Sequence, residues 1–245
     1  MRTLLLVSIA AICCTQTTLA QSSSWTWAKV LGGSAADVGN DSAMDNLGNV
    51  YVTGSFAGSL IAGPDTMQAN GNDDIFLIKY DPQGNVVWAR RAGSAGYDDS
   101  KGVAVDSLGN IYIAGIYGSG SMQLDTITIS SPGNPNIFLA KYSPDGKLRW
   151  ALSPPGGGTN RCNDVAVDGK GNAFITGNYT NSLAFGGIPC RWPMATGHCF
   201  LPNLTAWGRR FGREAQMEPP STGVLAGSRY RRQWCTWLAI TQVYL

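Results

Sequence analysis

Short runs of β-branched and aromatic residues, separated by Gly, Asn, Asp and Pro, follow one another along most of this chain. In the run at 50–55, Val50 and Val52 alternate with Tyr51 and Thr53, and a turn-forming segment precedes the run. Short runs with such boundaries indicate β-strands joined by hairpins. The sequence therefore predicts an all-β protein with short antiparallel strands.

The pattern recurs at intervals of 61 and 62 residues, and each copy contains a Trp, a D-x-x-G-N turn and a strand that ends in Gly. The recurring residues are Trp27, Trp88 and Trp150, then Asp45, Asp106 and Asp168, then Gly54, Gly115 and Gly177. A fixed period of this size indicates one structural unit copied in tandem. Most of the repeated residues are therefore explained by architecture before any chemistry is considered.

Each full copy predicts four strands, which lie at 42–45, 50–55, 75–80 and 86–90 in the first copy. The second copy repeats the last three of them at 111–116, 137–142 and 148–151. In the connecting turns an Asp side chain can accept bonds from the amides ahead of it, and the Gly tolerates a positive φ. Four antiparallel strands in each unit define the blade of a β-propeller.

Residues 21–189 hold about two and a half such blades, whereas a propeller ring typically closes with about four to eight. The sequence therefore predicts an incomplete β-propeller of four-stranded antiparallel blades. The faces and edges that neighbouring blades would cover are expected to be exposed.

Residues 25–189 resemble the bacterial SBBP β-propeller repeat family, whose pattern combines W-A-x with D-x-x-G-N-x-Y-x-x-G and D-x-F-x-x-K-Y-x-x-x-G-x-x-x-W. The first copy supplies Trp27, Gly48, Asn49, Tyr51, Asp74, Phe76, Lys79, Tyr80, Gly84 and Trp88. The second supplies Gly109, Asn110, Tyr112, Phe138, Lys141, Tyr142, Gly146 and Trp150. The resemblance implies the propeller fold and no particular activity, because the family pattern carries no shared catalytic motif that this chain matches.

The first 20 residues predict a secretory signal peptide, with Arg2, an apolar run at 4–12 and a cleavage point after Ala20. The apolar run is much shorter than the roughly 20 residues of a membrane-spanning helix. Lipidation at Cys13 or Cys14 is the alternative, although Ile12 stands where a small residue is expected. We expect an exported protein, secreted, periplasmic or on the cell surface, without a transmembrane segment.

The composition changes at residue 189. Residues 21–189 hold six Lys, four Arg, fourteen Asp and no Glu, a net charge of −4, whereas residues 190–245 hold seven Arg and two Glu, a net charge of +5. The tail at 190–245 also contains four of the eight Trp, three of the six Cys and the only His, without matching strands or turns. We expect this basic tail to be disordered or poorly packed.

A shifted reading frame explains this tail. The third base of each codon can be read together with the first two bases of the next codon. In that frame the codons of residues 190–200 can encode VPVANGNGTLF, which matches MQANGNDDIF in the first copy. Three further segments match in the same frame, and the shifted Trp falls near position 212, 62 residues after Trp150. The alternative is a genuine basic arm that binds anions or nucleic acid through Arg and Trp.

The sequence offers little for catalysis or metal binding, and we expect no catalytic, cofactor or metal residues. The only His, His198, lies in the tail, and Cys162 has no partner for a zinc site, so a buried thiol is expected. Oxygen-rich stretches at 72–74 and 96–100 could hold calcium, but turn formation and strand boundaries explain their aspartates. The repeated tryptophans could line a sugar site, but their recurrence at one position favours the blade core.

The functional hypothesis is an exported, non-enzymatic β-propeller repeat protein that binds or scaffolds a protein or carbohydrate at the cell surface. The chain would be a truncated fragment of a larger protein, and its ligand would lie on the loops of the propeller. The alternative is a fragment of a propeller-fold enzyme, of the quinone-dependent dehydrogenase or polysaccharide lyase type. Unique His, Arg or Glu residues in loops would favour the enzyme, and Arg161 is such a residue within 21–189.

Overall fold

The computed structural model describes residues 26–118, 120–130, 132 and 135–185, and strands at 188–190, 198–200 and 203–204. This part of the chain contains strands and turns and no helix, which confirms the all-β class. Accordingly, it contains no helix long and apolar enough to cross a membrane. The signal peptide expected at 1–20 and the tail at 205–245 lie outside the described residues.

The strands are β1 (Gly32–Gly33), β2 (Asp37–Met44), β3 (Val50–Ala62), β4 (Asp65–Tyr80), β5 (Val86–Gly93), β6 (Asp98–Val105), β7 (Ile111–Tyr117), β8 (Ser121–Leu124), β9 (Ile127–Ser130), β10 (Asn136–Tyr142), β11 (Leu148–Leu152), β12 (Gly156–Gly157), β13 (Asn160–Val167), β14 (Ala173–Tyr179), β15 (Ser182–Phe185), β16 (Ile188–Cys190), β17 (His198–Phe200) and β18 (Asn203–Leu204).

Two complete four-stranded blades and part of a third are present. Blade 1 has the order β2-β3-β4-β5, and blade 2 has the order β6-β7-β10-β11, with antiparallel pairing throughout. Blade 3 consists of β13 and β14, with β17 and β18 along the other edge of β14. This arrangement confirms the incomplete propeller of four-stranded antiparallel blades.

Paired strands continue past residue 189, where the sequence suggested that the blade pattern ends. Phe200 lies opposite Gly177 in β14, and Leu204 lies opposite Ala173. In blade 1 the same register places Phe76 opposite Gly54. Strands β17 and β18 therefore form the third strand of blade 3 in two pieces, and the boundary of paired strands moves to Leu204.

An additional hairpin between the second and third strands of each blade was missed in the sequence. Blade 1 forms it by extending β3 and β4, whereas blades 2 and 3 form it from β8–β9 and β15–β16. Each hairpin pairs with the end of the fourth strand of the preceding unit or with the chain just after it. The paired residues are Gly33 with Leu60, Gly93 with Gln123 and Gly156 with Leu183. We call this pairing the inter-blade clasp, because it joins each unit to the next.

The core consists of apolar layers between successive blades. In β4, Ile75 and Leu77 belong to the layer between blades 1 and 2, whereas Phe76 and Ile78 face the opposite side. All four side chains are at most 1% exposed. Blade 2 repeats this division, with Phe138 toward blade 1 and Ile137 toward blade 3. Burial on both faces explains why these strands are continuously apolar.

The strands of blade 2 approach each other closely at Gly115. A Cβ atom on Gly115 would lie 2.0 Å from the backbone oxygen of Asp99 in the neighbouring strand, so Gly115→Ala requires the two strands to separate. We expect this substitution to lower the free energy of unfolding by roughly 3 kcal/mol, as for other strained core changes. Urea denaturation monitored by tryptophan fluorescence measures the loss.

The matched control is Gly39→Ala, because no atom lies within 4 Å of a Cβ built at Gly39. This variant should stay within about 1 kcal/mol of the parent, the usual cost for exchanges without strain. An equal loss in both variants would contradict the proposed close approach at Gly115.

Candidate binding surface at the inner strands

The first strands of the three blades lie side by side, although they belong to different sheets. Asn40 Nδ2 donates to the carboxylate of Asp99 and to the backbone oxygen of Ser100, at 2.8 Å for the latter. The Asp41 carboxylate accepts a bond from the Val103 amide at 2.8 Å. These bonds connect β2 to β6, and β6 contacts β13 on its other side. The inner edges of the three blades therefore face one axis, as around the channel of a propeller.

At one end of the inner strands, the D-x-x-G-N aspartates organise their own turns. Asp106 Oδ1 accepts bonds from the amides of Leu108 at 3.0 Å and Asn110 at 2.9 Å, while Oδ2 accepts from the Asn110 side chain and from the Tyr112 hydroxyl. Gly109 completes the turn with a φ of 78°. The interpretation of these aspartates as turn formers is confirmed.

The same donors keep these carboxylates ionised. Burial opposes ionisation of Asp45, Asp106 and Asp168, but the Asn side chains and backbone amides around them outweigh that effect, and the pKa of each lies below its usual value. The three turns line a cavity of ≈ 230 Å³. Since these carboxylates already accept bonds within their own turns, we regard this end of the inner strands as structural.

The repeated tryptophans join one blade to the next. Trp88 Nε1 donates to the backbone oxygen of Pro144 in the following blade at 3.2 Å, and its ring lies 6.0 Å from that of Tyr51 in its own blade. Trp88 is only 8% exposed. Trp150 has the corresponding contact with Tyr112 at 6.1 Å. The expectation that the repeated tryptophans belong to the blade core is therefore confirmed for Trp88, which cannot stack on a sugar. Trp27 and Trp150 are half-buried and pack against the core.

A β-bulge recurs at one position in every inner strand. The register shifts at Asn40, Lys101 and Asn163. Each of them is the third residue after the first residue of its strand. A bulge leaves its extra residue unpaired and redirects its side chain. Three polar residues thus occupy equivalent places in the inner strands. Only the shared spacing in the sequence could have indicated these residues, because the bulge itself depends on strand pairing.

Two positions before each bulge, the repeats differ in charge. Val38, Asp99 and Arg161 occupy this position, opposite Ser55, Ile116 and Asn178 respectively. We define the channel face as these three residues together with the three bulge residues. Its members are Val38, Asn40, Asp99, Lys101, Arg161 and Asn163. The channel face therefore combines a repeated backbone geometry with side chains of different chemistry.

Asp99 is the centre of a polar cluster on the channel face. It is 2% exposed and accepts bonds from Asn40 and from the Tyr97 hydroxyl at 2.9 Å, and it pairs with Lys101. Burial and the neighbouring Asp99 carboxylate raise the pKa of Tyr97 to about 12, so its hydroxyl remains a donor at neutral pH. The Tyr97 side chain is 45% exposed and adds an aromatic surface beside the cluster.

Arg161 is the arginine of the channel face. It lies exposed on β13, and among the described residues it has no ion-pair partner within 4.0 Å. A guanidinium presents several donors in a planar fork that fits a carboxylate or phosphate. The residue noted in the sequence as unusual therefore lies at the channel face, on a strand rather than in a loop.

The oxygen-rich stretches considered for calcium are engaged by protein groups. The buried Asp74 carboxylate pairs with Arg91 and accepts a bond from the Asn70 amide, while Asp98 accepts from the Ser94 hydroxyl at 2.6 Å and the Gly118 amide at 3.1 Å. Burial raises the pKa of both carboxyls. Within the described ranges, no three His, Cys, Asp or Glu side chains converge in a way that could hold a metal ion.

The remaining candidate residues lie apart from the channel face. Cys162 is buried, as expected, and burial raises the pKa of its thiol to about 12. His198 lies opposite Tyr179 in the pairing of β17 with β14, and its side chain lies outside the described residues.

Stacked four-stranded sheets with their inner edges around one axis define a β-propeller repeat protein. A family model described as SBBP, beta-propeller repeat, matches residues 87–115, from the fourth strand of blade 1 to the second strand of blade 2. The match confirms the resemblance inferred from the repeat residues.

The chain is also 26% identical, over 157 residues, to an uncharacterised WD repeat-containing protein of Acanthamoeba polyphaga mimivirus. That match covers 57% of this chain and 11% of the viral protein.

The turn aspartates should make the stability of the protein depend on pH. Because the folded-state pKa of Asp106 is depressed, its stabilising effect is present above the unfolded value of about 3.9 and is lost as the pH falls through the folded value. We expect Asp106→Asn to lower the free energy of unfolding at pH 7 by about 1–3 kcal/mol and to have a smaller effect near pH 2. Urea denaturation across this pH range measures the difference.

The control is Asp65→Asn, because Asp65 is an exposed aspartate on the hairpin of blade 1. It should change stability little at either pH. A deficit in Asp106→Asn that is the same at pH 7 and pH 2 would rule out the ionised carboxylate as its cause.

Proposed function

We propose that this chain is an exported, non-enzymatic propeller scaffold that binds a protein or carbohydrate partner through its channel face. The observation that carries the proposal is the contrast between the repeated framework and the channel face. At the framework positions the repeats use the same residues, as with Trp27, Trp88 and Trp150. At the channel face the equivalent positions hold Val38, Asp99 and Arg161.

The contrast favours binding because a framework alone does not require different side chains at its inner edges. Equivalent positions that serve only packing hold residues of similar size, as Leu60, Met122 and Leu183 do in the hairpins. The channel face instead presents an exposed guanidinium and an exposed amide, and the half-exposed Tyr97 lies beside it. These groups fit a polar partner with an acidic group, because the free charge at Arg161 favours anions.

Binding rather than catalysis is supported by the state of the reactive groups. The Cys162 thiol is buried and its pKa is raised, so it lacks the thiolate character of a nucleophile. Asp99 is held by three donors and is thus committed to positioning its neighbours. The channel face therefore supports recognition by hydrogen bonding and charge.

A binding experiment tests the channel face. The protein is titrated against a panel of neutral and acidic polysaccharides and acidic peptides, and any ligand bound by the parent is repeated with Arg161→Ala and with Tyr97→Ala. We expect each variant to weaken binding at least tenfold, which corresponds to about 1.4 kcal/mol. The unfolding curve of Arg161→Ala should be unchanged, because this side chain is exposed. Tyr97→Ala should lower the free energy of unfolding by about 1–3 kcal/mol, because it removes a donor to the buried Asp99 carboxylate, so its binding is measured where the variant is still folded.

The matched control is Lys170→Ala, which removes an exposed cation from the turn that follows β13. Loss of binding in Lys170→Ala to the same extent would show that net charge, and not the channel face, holds the ligand. Binding of an acidic ligand that is insensitive to Arg161 would refute the proposed surface.

Export is tested separately. Residues 1–24 are fused to a reporter enzyme that becomes active only outside the cytoplasm, and a variant with Leu5→Arg and Leu6→Arg provides the control. We expect reporter activity with the natural segment and none with the charged variant, because charges abolish the apolar run of a signal peptide. Activity in neither fusion would contradict export.

We further propose that the chain is a truncated fragment of a longer propeller, with residues 190–245 read in a shifted frame. The support is the agreement of the shifted reading with the 62-residue period. Resequencing the locus and translating it onward from codon 189 tests the idea. A stop codon soon after codon 189 in the shifted frame would refute it.

A further inference from the structure

Two buried carboxyl groups lie where blade 1 contacts blade 2. Asp74 of β4 and Asp98, the first residue of β6, are both 0% exposed. A Cβ on Gly93 would overlap the Asp74 carboxylate. The next residue, Ser94, donates to the Asp98 carboxylate from its amide at 2.5 Å and from its hydroxyl at 2.6 Å. The short stretch after β5 therefore contacts both carboxyl groups.

One cation accompanies these two carboxyl groups. The Arg91 guanidinium pairs with Asp74 Oδ2, which also accepts a bond from the Asn70 amide. Asp74 Oδ1 is buried and has no hydrogen-bond partner among the described residues. Asp98 accepts a further bond from the Gly118 amide at 3.1 Å, which is a neutral donor. We call Asp74, Arg91 and Asp98 the acid cluster, because it combines two acids with one base.

The other titratable groups around the acid cluster leave this imbalance of charge in place. Asp73 of β4 adds negative charge beside the cluster. Tyr117 of β7 lies opposite Asp98, and burial raises the pKa of this tyrosine, so its hydroxyl stays uncharged at neutral pH. Lys101 of β6 pairs with Asp99. Within the part of the chain that the structure describes, one cation thus faces two carboxyl groups.

The corresponding contact between blades 2 and 3 is built from uncharged side chains. Asn136 and Asn160 occupy the places of the two acids, and both are 0% exposed. Ser153 occupies the place of the arginine, and its hydroxyl donates to the backbone oxygen of Ile137 at 2.8 Å. The same backbone arrangement therefore forms with a neutral set of residues. The charges of the acid cluster are not needed to build the contact between two blades.

We propose that the acid cluster makes the contact between blades 1 and 2 sensitive to pH, so that the blades hold together most tightly in mild acid and loosen as the pH rises. The single guanidinium balances one carboxylate. When both carboxyl groups are ionised, the cluster carries a net negative charge, and an unbalanced charge that is shielded from water costs free energy. When one of them keeps a proton, the cluster is neutral. Because the two carboxyl groups interact, this proton belongs to the pair.

The direction of the effect agrees with the pKa shifts of the two acids. Burial raises the pKa of Asp74 and of Asp98, although Arg91 and the surrounding donors oppose the shift. The folded chain therefore binds a proton here more readily than the unfolded chain, whose aspartates titrate at about 3.9. The stability that the cluster contributes is fully present below that value and is lost as the pH rises through the raised folded values. The turn aspartates, such as Asp106, have the opposite dependence.

The stretch held by the acid cluster also carries Tyr97. The Asn72 amide donates to the backbone oxygen of Gly96 at 3.2 Å, and Asp73 forms a β-bridge with Tyr97. The Tyr97 hydroxyl itself keeps its proton at neutral pH, because its pKa is raised to about 12. Loosening of the contact between blades 1 and 2 would therefore release Tyr97 beside the channel face. This consequence for ligand binding rests on the proposed function, whereas the pH dependence of the contact does not.

A triple variant that copies the neutral contact tests the proposal. It combines Asp74→Asn, Arg91→Ser and Asp98→Asn in the full chain, and urea denaturation gives the equilibrium constant for folding of parent and variant at pH 4 and pH 8. The ratio of the parent constant to the variant constant should be at least tenfold smaller at pH 8, which corresponds to about 1.4 kcal/mol. The control Asp65→Asn, at an exposed aspartate, should give the same ratio at both pH values. A ratio for the triple variant that is constant or rises with pH would overturn the proposal.

Amide hydrogen exchange of the parent chain tests the contact without any substitution, because exchange reports local opening. Residues 94–98 and residues 156–160 are equivalent stretches of the charged and the neutral contact in one molecule. After correction for the intrinsic pH dependence of exchange, the protection of 94–98 relative to that of 156–160 should fall at least fivefold from pH 5 to pH 8. An unchanged relative protection would refute the proposal, whether or not the triple variant folds.

Discussion

The packing of each blade against its neighbours is the interaction on which the rest of the structure depends. In β4, Ile75 and Leu77 are buried on one face while Phe76 and Ile78 are buried on the other. Removing either neighbour would expose half of these side chains to water, at a cost of about 1.5–3 kcal/mol for each. A blade is therefore stable only within a stack, which is the general property of repeat proteins.

Two further interactions hold the stack in register. The tryptophan of each fourth strand reaches the next turn, as Trp88 does with Pro144, and the inter-blade clasp adds backbone pairing such as Gly93 with Gln123. The turn aspartates act within a blade, where Asp106 satisfies the amides of its own turn. Because these contacts hold the repeated framework together, the side chains of the channel face can differ between the repeats.

The sequence predicted the strands of blades 1 and 2 and the roles of the turn residues, because these depend on local chemistry and recur with the period. It missed the hairpins β8–β9 and β15–β16, whose strands have only four residues or fewer and carry little signal of their own. The bulges at Asn40, Lys101 and Asn163 were missed for a related reason. A bulge exists only relative to a paired strand, and neither its position nor its side-chain direction follows from composition.

The amino-acid sequence by itself determined the repeat, the turn geometry and the all-β class, since hydrophobic spacing and Asp–Gly turn chemistry act over a few residues. Only the tertiary structure decided which residues of neighbouring blades meet. Asn40 and Asp99 are 59 residues apart and come together because blades stack, and no local pattern encodes that contact. Contacts between repeats are set by the packing of whole sheets, so they emerge only when the chain is folded.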